Sequence, residues 1–281
     1  MKNIYSFIGA IMLICFSFYY TESAVNIVKR NDPIMRKIVS VSNEYEIDAI
    51  DAILTHNNII PGISGSKLDI DRSYENMKRL GEFNSSLLEF ESVIPSVSVT
   101  NSYDKFIVSG NKSKNEVYLV FKMENTSYIE EIIDILKQSN TYATFFLDYD
   151  IIVNSKDALK LLNNSNHQIE YLGKNSNYTK KEILVTEEML TKFDRSNGRF
   201  CYAEYENNSV IDICSKNKLY TIIPTIITTK YPYNDVKEKL ANGAIIKMDN
   251  NSSTVRELKY IINYIRQKGY KIKSLNNLLD E

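Results

Sequence analysis

Residues 117–148 read VYLVFKMENTSYIEEIIDILKQSNTYATFFLD, and the pattern of this stretch decides the fold. Val117 to Phe121 and Ala143 to Leu147 are short apolar runs of the kind that form buried strands. Between them, from Ser127 to Ser139, apolar residues recur at intervals of three and four, which predicts a helix with one buried face. A strand, a helix and a second strand in this order predict two parallel strands joined by a covering helix.

The same alternation continues to the end of the chain. Further strands are predicted at His167–Leu172, Arg199–Ala203, Tyr220–Ile227, Ala244–Met248 and Tyr270–Lys273. Helices are predicted near 155–163 and at Thr179–Leu190, Ser209–Ser215, Asn234–Ala241, Ser253–Gln267 and Leu275–Leu279. About seven strand–helix units predict an α/β fold and favour a closed or nearly closed (β/α) barrel over an open sheet. The working residues of such a barrel follow the carboxyl ends of its strands.

Upstream of this barrel, residues 24–115 predict a small accessory region without recognisable chemistry. Short helices are expected at Pro33–Val41 and Ser73–Leu80, and an edge strand is expected at Val93–Val99. Residues 109–115 are polar and lack apolar periodicity, so the boundary of the barrel domain is predicted there. The expected domains are therefore 1–23, 24–115 and 116–281.

The N-terminal segment predicts on which side of the membrane the rest of the chain lies. Ile4 to Tyr20 form an uncharged apolar run near the lower limit of length for a membrane-spanning helix, and Lys2 precedes it. The basic flank predicts a cytoplasmic N-terminus and an exported remainder. A single-pass signal anchor is favoured over a cleaved signal peptide, and secretion after cleavage is the alternative. In both cases Cys201 and Cys214 would lie where a disulfide is permitted but not required.

Composition excludes two classes of function. The chain of 281 residues has 34 Lys and Arg against 35 Asp and Glu, a net charge of −1. Binding to nucleic acid requires a basic excess, so no nucleic-acid partner is expected. With two histidines and three cysteines, the chain has too few ligands for a His/Cys zinc cluster.

From Val117 to Leu279 the chain resembles the polysaccharide deacetylase family, the NodB-homology domain of carbohydrate esterase family four. VYLVFKMEN (117–125) is similar to the family's first motif, a strand ending in Thr-Phe-Asp-Asp-Gly-Pro. The later blocks that resemble the family, in its order, are IIDILKQSNTYATFFLD (132–148), NHQIEYLGKNS (166–176), GRFCYAEYENNSVIDIC (198–214), GAIIKMDN (243–250) and KGYKIKSLNNLL (268–279). The resemblance implies an incomplete β/α barrel that deacetylates carbohydrates with zinc or another divalent metal in its cleft.

The positions that match the family's catalytic residues are substituted. Lys122 and Met123 stand where two adjacent aspartates act as general base and metal ligand. Leu172 and Ser176 stand where two histidines bind the metal, and Asp249 stands where a histidine acts as general acid. Metal-dependent hydrolysis needs three protein ligands and a base for the bound water. The resemblance therefore implies a degenerate member of the family, with no catalytic residue assigned and no zinc or other divalent metal expected.

The family's conserved block Arg-Pro-Pro-Tyr is also altered, and Arg199 is the candidate to replace its arginine. The residues expected to line the substrate cleft are Lys122, Glu124, Glu170, Arg199, Glu204 and Asp249, and further strand-end acids are Asp148 and Asp150. We expect the Lys122 ammonium to point into the cleft and to pair with Asp249, or else with Glu170, in place of the charge of a metal.

The leading prediction of function is a cell-envelope protein that binds or scaffolds glycans and lacks metal-dependent deacetylase activity. Its expected partners are a cell-wall or surface glycan and, through the N-terminal helix, the membrane. The alternative is an active hydrolase of envelope glycans, since a pair of carboxylates in a rebuilt, metal-free cleft can cleave a glycosidic bond.

Overall fold

The computed structural model describes residues 12–13, 16–17, 26–174, 177–194 and 197–280. The predicted membrane anchor, residues 1–23, falls almost entirely outside these ranges, as does Ser176. Within the ranges that are described, no helix has both the length and the apolar character needed to cross a membrane.

Besides helical residues at 12–13, 16–17 and 26–31, the described ranges contain nine α-helices and thirteen strands. The helices are α1 (Pro33–Tyr45), α2 (Ile70–Leu80), α3 (Ile129–Gln138), α4 (Tyr149–Asn154), α5 (Lys156–Asn164), α6 (Lys180–Leu190), α7 (Asn208–Lys216), α8 (Pro232–Lys239) and α9 (Ser252–Gln267). The strands are β1 (Ile53–Leu54), β2 (Asn58–Ile60), β3 (Gly65–Asp69), β4 (Glu89–Val93), β5 (Phe106–Ile107), β6 (Glu116–Met123), β7 (Thr144–Asp148), β8 (Gln168–Leu172), β9 (Phe200–Tyr202), β10 (Tyr220–Ile222), β11 (Ile226–Ile227), β12 (Ile245–Asp249) and β13 (Lys271–Lys273). Short 3-10 helices occur at Ser85–Leu87, Val99–Asn101 and Leu275–Leu278.

The chain divides into two compact units. The described part of the first comprises residues 26–49 and 65–93, and that of the second comprises 50–64 and 94–280. This division differs from the predicted boundary near residue 115, because β5 lies before that boundary and pairs in parallel with β10. A polar segment without periodicity thus lies inside the second unit and does not mark its start.

The first unit contains α1, α2 and the antiparallel pair β3–β4. The Asp32 carboxylate accepts a hydrogen bond from the Ile34 N–H and caps α1, while Pro33 occupies the first turn. The predicted edge strand Val93–Val99 is wrong, since β4 ends at Val93. Its apolar alternation includes Pro95, which has no N–H to donate to a strand partner.

The second unit is an α/β structure with two sheets, as the strand–helix alternation predicts. One sheet has the order β11-β12-β6-β7-β8, with β13 also beside β6, and all of its pairs are parallel. The other has the order β1-β2-β5-β10-β9 and is parallel except for the pair β1–β2. The strands described here form no closed barrel. The predicted strand Tyr220–Ile227 is interrupted near Pro224, and its halves β10 and β11 join different sheets.

Alternate side chains of β6 pack into two different cores. Val117, Leu119, Phe121 and Met123 belong to an apolar cluster that includes the buried faces of the covering helices. Tyr118 and Val120 belong to a second cluster that contains buried residues from both sheets, among them Phe146, Leu172, Tyr202 and Ile222. Lys122 is the next residue on the face of Tyr118 and Val120, because side chains alternate along a strand. Its side chain therefore emerges where this second core ends.

A disulfide fastens one helix to the five-stranded sheet. Cys201 in β9 and Cys214 in α7 are both buried, and their Cα atoms are 6.4 Å apart. The oxidation state that the sequence left open is thus a closed disulfide in the structure.

Candidate functional site

Lys122 lies at the carboxyl end of β6, with its side chain only 20% exposed. Its ammonium is 3.1 Å from Glu124 Oε1 and 3.8 Å from Glu204 Oε1. The expected pairing with Asp249 or Glu170 is therefore wrong. Lys122 and Asp249 are neighbours in the parallel register of β6 and β12, but the Lys122 side chain is directed to the acids that follow β6 and β9.

Asp249 has its own cation, Lys247, on the same strand. The Lys247 ammonium is 2.6 Å from Asp249 Oδ1, and its side chain is only 6% exposed. Sequence reasoning missed Lys247, although a lysine in the middle of the apolar strand Ile245–Asp249 was a signal, because a buried cation needs a charged partner. Lys247 and Asp249 are two residues apart on a strand, so their side chains share a face.

Lys122 and Lys247, with their acidic partners, lie near the carboxyl ends of the adjacent strands β6 and β12. The Tyr202 hydroxyl is 3.5 Å from Glu204 Oε1. Burial raises the pKa of Tyr202, and the negative charges of Glu204 and Asp249 raise it further. We call this site the lysine cleft, formed by Lys122, Lys247, Glu124, Glu204 and Asp249.

Glu170 is fully buried in the interior beneath the cleft and is not one of its lining residues. The Phe200 N–H donates to Glu170 Oε2 over 2.8 Å, and the Gln168 amide donates to Oε1 over 2.6 Å. Burial raises the pKa of the Glu170 carboxyl to about 8, although these donors and the charge of Arg199 act to lower it. Glu170 therefore belongs to a structural network and has no route to a substrate.

This network replaces part of the pairing between β8 and β9. A backbone hydrogen bond joins Gly198 N to Ile169 O, over 3.1 Å. Two backbone donors of β9, those of Phe200 and Tyr202, bind side chains instead. Phe200 N–H binds Glu170, and Tyr202 N–H donates to the Tyr178 hydroxyl over 2.7 Å. The seam between the two sheets is thus closed by side chains.

The remaining predicted residues lie outside the cleft. Arg199 precedes β9, at the opposite end of that strand from Glu204, and acts on buried Glu170. Asp148 caps α4 by accepting from the Asp150 N–H over 3.0 Å, and Asp150 lies in the first turn of that helix. Arg199 therefore does not replace the family's arginine in the cleft, because it lies at the amino end of β9 and the cleft lies at the carboxyl end.

The residues present do not fit the divalent metal that the resemblance implies. Met123 is fully buried in the apolar cluster next to the helices, and Leu172 is buried in the cluster between the sheets. Neither side chain is a ligand for a hard cation or for zinc. Among the residues that the structure covers, no group of three His, Cys, Asp or Glu side chains is placed to hold a metal ion. Ser176, at the other ligand position, is outside the described residues.

The lysine cleft can bind polar groups but lacks an obvious means of activating water. Two ammonium groups and three carboxylates offer both hydrogen-bond donors and acceptors, which suits hydroxyl and acetamido groups. Each carboxylate already contacts a lysine ammonium. None of the three is therefore held apart from a cation as a general base for water would be.

The altered pairing of Lys122 predicts a specific double-mutant cycle. Lys122→Met combined with Glu204→Leu should show a coupling of about 1 kcal/mol or less in the free energy of unfolding, because both partners are partly exposed to solvent. Lys122→Met combined with Asp249→Leu should show a smaller coupling, because no ion pair joins these two side chains although their strands are adjacent. Urea unfolding of the wild type, the three single variants and the two double variants measures both values. A larger coupling to Asp249 than to Glu204 would contradict the observed pairs.

Comparisons with known proteins agree with this fold. Residues 109–202 match the family model of polysaccharide deacetylase. The uncharacterized protein YlxY of Bacillus subtilis is 27% identical over 282 residues, which covers 92% of this chain and 88% of YlxY. The structure of BA3943, a CE4 family pseudoenzyme from Bacillus anthracis, is 26% identical and has a TM-score of 0.67, covering 89% of this chain and 96% of that one.

A family 4 carbohydrate esterase of Bacillus subtilis, PdaA, shares the fold. It matches with a TM-score of 0.55 and 18% identity, over 63% of this chain and 85% of PdaA.

Proposed function

We propose, from the premise that this chain carries a polysaccharide deacetylase domain, that it binds glycans of the cell envelope without deacetylating them. The observation that carries the proposal is the lysine cleft, where Lys122 and Lys247 form ion pairs at the ends of β6 and β12, the strands that match those carrying the family's general base and general acid. The buried, apolar positions of Met123 and Leu172 support it, since they offer no ligand. The similarity to BA3943, itself a CE4 family pseudoenzyme, supports the same assignment.

The alternative of a carboxylate hydrolase has less support. Glu124, Glu204 and Asp249 each contact a lysine ammonium, and Glu170 is enclosed in the interior. A glycosidase needs one carboxyl group kept protonated and a second one free to attack or to activate water. Three of these four carboxyl groups are engaged by a cation and the fourth is enclosed, so binding or scaffolding is the better-supported function.

An extracytoplasmic location is part of the proposal. The apolar run from Ile4 to Tyr20 supports an anchor or an export signal, and the Cys201–Cys214 disulfide suits an oxidising compartment. Digestion of residues 24–281 by protease in wall-stripped but unlysed cells tests the location, and full protection there would place the domain in the cytoplasm.

The function is tested by separating binding from hydrolysis. Purified protein should bind soluble peptidoglycan fragments in calorimetry and should release neither acetate nor reducing sugar from them, with or without added zinc. An active family 4 carbohydrate esterase such as PdaA serves as the positive control for acetate. After dialysis the protein should retain less than stoichiometric zinc, because its cleft lacks the ligands.

Acetate release that depends on zinc would overturn the non-catalytic proposal. Release of reducing sugar that is lost in both Glu204→Gln and Asp249→Asn would instead support the carboxylate hydrolase.

A further inference from the structure

A groove lined by tyrosines runs between α8 and α9 on the helical surface of the second unit. Its walls include Tyr231, Tyr233, Tyr260 and Tyr264, together with the amide side chains of Asn263 and Gln267. Its volume is about 450 Å³, which is within the usual range for sites that bind small molecules. We call it the tyrosine groove.

The floor of the tyrosine groove is held in place by contacts between the two helices. The Tyr233 N–H, in the first turn of α8, donates to Glu257 Oε2 on α9 over 3.0 Å. The rings of Tyr233 and Tyr264 pack edge to face with centroids 5.7 Å apart, and the Tyr264 hydroxyl donates to Lys237 O over 3.4 Å. A groove fixed in this way loses little conformational entropy when a ligand binds.

Two aromatic rings at the rim are left in solvent. Tyr260 is 64% exposed and Tyr231 is 53% exposed, and the Lys230 ammonium lies 5.5 Å from the centre of the Tyr231 ring. More than half of each residue is exposed, so both rings have surface available to a ligand. Exposed aromatic rings present an apolar face with a polar edge, and they are the side chains that most often anchor ligands.

The combination of rings and amides indicates the chemical class of the ligand. A pyranose ring has an apolar C–H face that can lie on a tyrosine, and its rim of hydroxyl or acetamido groups can bond to the amides of Asn263 and Gln267. Tyr260, Tyr264 and Gln267 follow one another at spacings of four and three, so they share one face of α9. From Glu257 to Gln267 this face is about 15 Å long, which accommodates an oligosaccharide and exceeds a single sugar.

The groove begins on the same edge of the sheet as the lysine cleft. Tyr231 follows β11, and β11, β12 and β6 are parallel neighbours in the six-stranded sheet. Their carboxyl ends therefore lie on one edge, where β6 and β12 end at the cleft. A glycan chain that lies along α9 has one end on that edge.

We infer that the tyrosine groove is a binding site for a neutral oligosaccharide containing N-acetylhexosamine, separate from the lysine cleft. Only the choice of an envelope glycan as the ligand rests on the proposed function. The groove requires neither a metal nor a catalytic residue.

The test is calorimetric titration with the β-1,4-linked tetramer of N-acetylglucosamine. Tyr260→Ala and Tyr231→Ala should each weaken binding about tenfold or more, which is typical of removing an aromatic anchor. Tyr260→Phe should retain binding within about threefold, since it keeps the ring. Tyr142→Ala removes another exposed tyrosine, before β7, and should leave affinity unchanged. Thermal melting of each variant confirms that the fold is intact.

The controls distinguish this inference from the proposed function. If the wild type binds the tetramer and both Tyr260→Ala and Tyr231→Ala bind equally well, the tyrosine groove is not the site, whatever the acetate assay gives. Equal weakening by Tyr205→Ala, next to Glu204, would move the site to the lysine cleft. Absence of tetramer binding by the wild type would also overturn the inference. Zinc-dependent acetate release by the wild type, together with weakened tetramer binding by Tyr260→Ala, would refute the non-catalytic proposal and still support the tyrosine groove as a binding site.

Discussion

Glu170→Ala should lower the free energy of unfolding by about 3 kcal/mol or more, measured by urea denaturation. The substitution leaves the Phe200 N–H and the Gln168 amide without their acceptor in the interior. It also opens a cavity where the buried side chain stood. The loss should extend beyond these residues, because Gln168 is bonded to Thr144 of β7 and to Asn276 of the C-terminal 3-10 helix.

The same residue predicts the direction of a pH dependence. The pKa of Glu170 is about 8 in the folded protein against an ordinary value of 4.5, so the folded state binds the extra proton between these values. Its contribution to stability is complete below about pH 4.5 and is lost as the pH rises through about 8, at up to about 1.4 kcal/mol per pH unit.

Glu170→Gln is the matched control for this titration. Its amide cannot titrate, but it places an N–H donor against one of the two donors that Glu170 accepts, so the variant should be less stable than the wild type at pH 5. The difference between the two proteins should shrink as the pH rises to 8. A difference that stays constant from pH 5 to 8.5 would show that Glu170 does not titrate in this range.

Removal of the disulfide should have the second large effect. Replacing Cys201 and Cys214 with alanine should cost about 3 kcal/mol, the value expected for a short closed loop, and should lower Tm by about 6–12 °C. Both side chains are buried, so alanine avoids the additional cost of placing a serine hydroxyl there.

Reduction of the wild type provides the control for this experiment. Oxidised wild type, wild type in reductant and the double alanine variant should be compared under the same denaturant series. Reductant should destabilise the wild type and leave the double variant unchanged. Equal stability of all three samples would contradict a structural role for the bond.

Much of the secondary structure could be predicted because local patterns are sufficient for it. The apolar spacing that predicts a helix at Ser253–Gln267 corresponds to α9, and the helix predicted to begin at Thr179 corresponds to α6, which Thr179 caps by accepting from the Glu182 N–H. The errors fall where a single proline overrides an apolar run. Near Pro224 one predicted strand becomes two, and Pro95 lies in a predicted strand that is absent. The division of the strands into two sheets could not be predicted from local sequence patterns, because it depends on which strands pair with each other across the unit.

The lysine cleft was only partly predictable for a related reason. Parallel topology places strand-end residues on one edge, and Lys122 and Glu204, both predicted from such positions, lie 3.8 Å apart. The choice of partner depends on side-chain reach and on the closure of the two sheets. Lys247 therefore forms an ion pair with Asp249, and Lys122 forms ion pairs with Glu124 and Glu204. The burial of Glu170 could not be predicted either. An acidic side chain within a strand can point to solvent or to the interior, and the packing of the two sheets decides which.

The seam between β8 and β9 has a consequence for amide hydrogen exchange. In a continuous strand ladder, neighbouring amides are protected by backbone carbonyls and tend to open together. Here the Phe200 amide is protected by the Glu170 carboxyl and the Tyr202 amide by the Tyr178 hydroxyl. Exchange at these two sites is therefore governed separately, each by one side chain. Deuterium uptake at Phe200 and Tyr202 would report on the closure between the two sheets independently of unfolding of the strands themselves.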